Sequence, residues 1–166
     1  IDDQAGNSIV KMRSVARRLK AEHGLGLIVV DYLQLMSTSK NYDSMVNQVT
    51  EISRSLKQLA RELEVPVLAL SQLSRAVESR GGKPRLSDLR DSGSIEQDAD
   101  LVIFIHRDDR YKDEKDGIAD ILVEKHRNGA VGSVQLLFDG KTTSFLSIDK
   151  THASIDAPKK VSFDDF

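Results

Sequence analysis

Cysteine is absent from this sequence, which excludes a disulfide framework and any thiolate metal site and fits a reducing, cytoplasmic setting. Tryptophan is absent as well, and aromatic residues make up only 5% of the chain. Uninterrupted apolar runs are far too short to cross a bilayer, and no signal-peptide pattern opens the chain, so no membrane partner is expected. Neither charge sign dominates: 24 Lys and Arg against 26 Asp and Glu leave a net charge of −2. That balance excludes a uniformly basic nucleic-acid coat but leaves room for a local basic surface. The four His residues (23, 106, 126 and 152) lie scattered, without metal-ligand spacing. An initiating Met is missing too. Ile1 runs directly into Asp2 and Asp3, as a strand cut near its end would, and the chain reads as a piece of something longer.

What is present suits one ordinary domain: 166 residues, 39% of them hydrophobic, enough to bury a core. Ile9, Met12, Val15, Ala16 and Leu19 recur at helical spacing, with Asn7 or Ser8 as cap and Gly24 as stop. Leu27 to Val30 is apolar without alternation, as in a strand buried on both faces of a parallel sheet. A second helix is expected over 44–64, capped by Asp43 and ended by Pro66; its stripe is Met45, Val49, Ile52, Leu56, Leu59, Ala60 and Leu63. Val67 to Leu70 gives a second buried strand and Leu101 to Ile105 a third. Between them, 74–100 reads as one long polar connection, and 107–117 as an exposed excursion. Strands near 119–125, 133–139 and 143–148 follow, the first two flanking the Asn128-Gly129 turn. The expected fold class is α/β, a mainly parallel sheet flanked by helices and extended by antiparallel C-terminal hairpins. The domain should cover 1–149, with 150–166 a flexible tail.

Ligands of open α/β sheets bind beyond the carboxyl ends of the strands, where this chain offers Asp31 and Gln72. A carboxylate there can hold magnesium through water, and an amide can orient a terminal phosphate or a water; equally, Asp31 can simply solvate a strand end. Gly140-Lys141-Thr142 resembles the end of a phosphate loop, but the pattern requires Gly where Gln135 stands, and a helix where Thr143-Ser144-Phe145-Leu146 reads as strand. A hairpin turn explains it better. Lys125-His126-Arg127 stands at a hairpin tip, as ordinary solvated charge or as an arginine finger serving a neighbouring subunit's nucleotide. In the Ser74–Arg90 loop, Arg75, Arg80, Lys83, Arg85 and Arg90 outweigh Glu78 and Asp88 by three charges. Such a loop suits a nucleic-acid backbone, or is merely solvated. The lack of aromatic residues over 74–100 argues against base stacking.

Taken together, several stretches resemble the bacterial replicative DNA helicase family, DnaB. They are Ala16 to Lys20, Ile28 to Met36, Glu51 to Lys57, Leu70 to Arg75, Leu86 to Asp100 and Lys125 to Gly129, in the family's order over roughly 1–149. The resemblance implies a RecA-like motor, cut before its start, that forms a homo-hexamer and uses ATP and Mg²⁺ to translocate on single-stranded DNA. It implies primase and a helicase loader as partners. Asp31 would be the Walker B magnesium carboxylate and Gln72 the sensor between nucleotide and DNA loops. Lys125 and Arg127 would be catalytic, reaching the neighbour's γ-phosphate. Arg90, Asp91 and Gly93 would line the DNA-facing loop, partly through backbone N–H groups. The family's Walker A loop and catalytic glutamate belong upstream of Ile1, so the piece alone is expected to be inactive. Asp91 stands where Glu is common, His126 where Gln is usual and Ala130 where Pro is usual. The alternatives are a RecA/RadA-like recombination ATPase and a non-catalytic ring-assembly or DNA-binding module. The run Ser92 to Asp98 favours the helicase.

Overall fold

The computed structural model describes residues 1–3, 7–38, 42–74, 76–92, 94–108 and 117–148. The expected 107–117 excursion falls mostly, and the 150–166 tail wholly, outside the described residues. Helix α1 spans Ile9–His23. Ser8 caps it by accepting from the Lys11 N–H, and Gly24 ends it at φ 77°, a conformation that costs glycine little. Helix α2 spans Met45–Leu63; Ser44 rather than Asp43 is its cap, its hydroxyl accepting from the Val46 N–H. Its stripe buries Val49, Ile52, Leu56, Leu59 and Leu63 almost fully, whereas Met45 in the first turn stays exposed. Glu64 turns left-handed at its end, and Pro66 prevents continuation.

Strands β1 (Ile28–Val30) and β2 (Val67–Ala69) pair in parallel, Ile28 opposite Val67 and Val30 opposite Ala69. Among the described residues, only one side of this ribbon is packed. Val30 is buried against Ile9, Leu33, Met36, Ile52 and Leu56, while Val29 and Leu68 are more than half exposed. The expected burial on both faces is therefore met on the helix-covered face alone. Ala16, Leu59, Leu63 and Val65 form a second cluster, joined to the first through Met12 and Ile28.

The 74–100 connection is not a structureless loop. It folds into helix α3 (Ala76–Arg80), a 3₁₀ helix (Leu86–Ser92) and helix α4 (Ile95–Asp98). These units are too short to show a periodic stripe. Strands β3 (Leu101–His106), β4 (Ile118–His126), β5 (Gly132–Asp139) and β6 (Ser144–Ser147) form an antiparallel sheet in chain order. Among the described residues β3 pairs with β4 and not with β2, so the parallel part holds two strands. Leu89, Val102, Phe104 and Leu122 make this sheet's core, and Ile95 of α4 packs against both that cluster and the first. Helix α4 is thus the apolar joint between the two sheets. No helix among the described residues is long and apolar enough to cross a membrane.

Candidate functional site

The carboxyl ends of β1 and β2 are stitched together beyond the ladder. The Leu70 N–H donates to the Val30 carbonyl and the Leu33 N–H to the Leu70 carbonyl, each at 2.9 Å. The Gln34 amide adds a clamp that no spacing rule reveals. Its Nε2 donates to Ser71 Oγ (3.1 Å) and the Gln72 carbonyl (3.3 Å), and its Oε1 accepts from the Gln72 N–H (3.4 Å). Gln34 therefore fixes the backbone of Gln72 relative to β1, leaving the Gln72 side chain outside on the exposed edge. Asp31, immediately after β1, is exposed at the same edge, and the Asp31–Tyr32 peptide is cis. Sequence reasoning thus brings Asp31 and Gln72 to one edge correctly but misses Gln34, which ties the Gln72 backbone to the segment after β1. No cluster of three or more acidic, His or Cys side chains occurs among the described residues. A lone exposed carboxylate fits Mg²⁺, which keeps much of its water and takes its other ligands from phosphate.

Lys125 and Arg127 lie at the end of β4, beside the start of β3. Lys125 does not project from the hairpin tip: its Nζ donates to the Glu96 carbonyl at 2.6 Å and lies 3.4 Å from that of Gln97, both on α4. Arg127 is half exposed and held twice by one residue, its N–H donating to the Asp100 carbonyl (2.8 Å) and its guanidinium pairing with Asp100 Oδ1 (2.9 Å). The other carboxylate oxygen of Asp100 accepts from Lys57 of α2. The Lys57 hydrogen bond, helped by the charges of Lys57, Arg127 and Arg61, holds the Asp100 carboxyl below its usual range. Asp98 Oδ2 accepts from Ser53 Oγ (2.8 Å) and Ser94 Oγ (2.6 Å), both serines being buried. In the turn, the imidazole of His126 covers Gly129 so closely that a Cβ there would lie 2.3 Å from the ring. His126 Nδ1 also lies 3.4 Å from the Ala130 carbonyl.

The expected basic surface of the 74–90 segment is partly neutralised. Arg80 grips Asp88 through both terminal nitrogens, at 2.6 and 2.9 Å, and Lys83 pairs with Asp120 at 2.9 Å. Asp88 also accepts from the Arg85 N–H at 2.7 Å, and Arg80 above all holds its carboxyl below the usual range. Arg90 and Asp91 contribute backbone to the 3₁₀ helix; their side chains, with Arg75 and Gly93, lie outside the described residues. Gly140-Lys141-Thr142 is a hairpin turn between β5 and β6, as the sequence indicates. The Lys141 N–H and the Thr142 hydroxyl donate to the Asp139 carboxylate, leaving no cradle there for phosphate. These bonds hold the Asp139 carboxyl below its usual range.

The family described as DnaB-like helicase C terminal domain matches residues 1–147. The chain is 54% identical over 154 residues to the replicative DNA helicase DnaB of Geobacillus stearothermophilus, covering 90% of this chain and 34% of the relative. It is 51% identical, with the same coverage, to the replicative DNA helicase DnaC of Bacillus subtilis (strain 168). The chain therefore spans about a third of the length of these curated relatives. Two solved structures superpose with a TM-score of 0.83 at 45% identity. One is an ATPase domain, with 89% of this chain and 54% of that one covered. The other is a DnaB-like replicative helicase solved for its interactions with primase, with 90% of this chain and 37% of that one covered. The chain belongs to the DnaB-like helicase C-terminal domain family and has the α/β, RecA-like fold of its motor domains.

Proposed function

We propose that this chain is part of the motor of a hexameric replicative DNA helicase that couples ATP hydrolysis at subunit interfaces to translocation on single-stranded DNA and duplex unwinding. The observation that carries this reading is the division of polar groups between the two sheets. Asp31 and Gln72 stand at the carboxyl ends of β1 and β2, whereas Arg127 and Lys125 are fastened at the end of β4. That division suits a site completed by a neighbouring subunit, each protomer offering its carboxylate edge to one neighbour and its guanidinium to the other. Bound Mg²⁺·ATP supplies the phosphoryl group that is transferred to water. Asp31 would hold the metal through water, and Gln72 would orient polar groups at the terminal phosphate. Arg127, with Lys125, would neutralise charge growing on the neighbour's γ-phosphate. Arg90, Asp91 and Gly93 would meet the DNA backbone next to the 3₁₀ helix. The similar DnaB-like replicative helicase, described with its interactions with primase, supports primase as a partner, and a helicase loader is proposed on the family resemblance alone.

Substitution tests the reading. Arg127→Ala in the full-length protein should slow ATP hydrolysis by about a thousandfold, within the range an arginine finger contributes, while equilibrium binding of nucleotide persists. Hydrolysis at the unsubstituted rate would remove the finger role.

A further inference from the structure

We propose that Asp100 is the positioning residue for Arg127, fixing the guanidinium to helices α2 and α4 so that the chain presents it in one orientation to the adjoining subunit. This rests on the finger reading above and adds a residue to which that reading assigns no role. Asp100 holds Arg127 at two points that define a direction, the backbone N–H at 2.8 Å and the guanidinium at 2.9 Å. A residue that begins a turn, as Arg127 does before Asn128-Gly129, would otherwise sample many rotamers. Asp100 is itself anchored, because its second carboxylate oxygen is taken by Lys57 of α2. The backbone leading into it is fixed too. Asp98 receives Ser53 and Ser94, and Lys125 spans from β4 to the carbonyls of Glu96 and Gln97. One carboxylate thus stands between the Lys57 ammonium of α2 and the Arg127 guanidinium.

The pairing leaves Arg127 able to act. Its side chain is still 47% exposed, and contact through one terminal nitrogen leaves the remaining N–H groups of the fork for a phosphate oxygen. A carboxylate that only neutralised the cation could sit anywhere near it. This one adds a backbone acceptor and a second cation, which fixes geometry as well as charge.

The test uses the full-length protein assembled with nucleotide. Asp100→Asn keeps shape but loses the charge that holds both cations. It should lower the single-turnover rate of ATP hydrolysis about ten- to a hundredfold, the cost of a misplaced catalytic group, with KM for ATP and nucleotide affinity unchanged. In the Arg127→Ala background the same substitution should change nothing further, because the group it positions is gone. A normal rate in Asp100→Asn overturns the proposal, as does an equal further loss in the double variant. If Asp100→Asn does not assemble, Asp100→Glu carries the same cycle: a severalfold loss that vanishes without Arg127 supports the role, and an unchanged rate overturns it. Full hydrolysis by Arg127→Ala itself would instead remove the finger reading, so the two failures are distinguishable.

Discussion

Replacing Asp88 with Asn would take away a carboxylate that accepts from both terminal nitrogens of Arg80 and from the Arg85 N–H. The expected result is a loss of about 1 kcal/mol of local stability, since charge-assisted contacts at a partly exposed site are worth little more. It should be read as faster amide exchange over the 3₁₀ helix. The pH dependence has a defined sign. A carboxyl held below its unfolded value contributes stability that is complete above the unfolded value, and this is lost as pH falls through the folded one. Asp88 and Asp100 both belong to this class. Protection of 86–92 should therefore be level above about pH 5 and fall only below about pH 4. A fall between pH 6 and 7 would show that some other group governs the segment. The sequence does not mark Asp88 as a structural carboxylate, because Arg80 reaches it from α3 only in the folded chain. The same holds for Asp100: its partners are 27 and 43 positions away in sequence.

At the scale of elements, α2 carries the packing. Leu59 is fully buried and Ile52 nearly so, and Leu59→Ala should cost about 2–5 kcal/mol in chemical denaturation, transfer and cavity effects acting together. Leu19→Ala, on a more exposed part of α1, should cost well under half as much. An equal loss at both positions would contradict the packing described. Among the described residues, both long helices and all six strands are legible in the sequence, because each presents either a 3.6-residue stripe, an unbroken apolar run or a turn signal. The 74–100 segment is not. Its helices are short, and their order comes from Asp88, Asp98 and Ile95, whose partners lie on other elements. The exposed faces of β1 and β2 are illegible for the opposite reason: unbroken apolar runs show that burial is required, not what supplies it. At the candidate site, Asp31 and Gln72 could be placed at one edge because strand ends are identifiable, whereas Gln34 acts through a contact made only when β1 and β2 pair.

At the scale of the whole molecule, helix α4 joins the parallel ribbon to the antiparallel sheet, with Ile95 between the cores, Lys125 of β4 donating to the Glu96 carbonyl and Ser53 of α2 donating to Asp98. The 3₁₀ helix packs against α4, whose carbonyls hold Lys125 two residues before Arg127. The division of the site between neighbours is the central claim, and mixed rings test it most directly. Full-length Asp31→Asn and Arg127→Ala proteins, each inactive alone, would be co-assembled in equal amounts and their ATP hydrolysis measured. If each site takes Asp31 from one protomer and Arg127 from the next, about a quarter of the interfaces in random rings are intact, and activity should return to a corresponding degree. Confirmed mixed rings that stay as inactive as their parents would contradict the account.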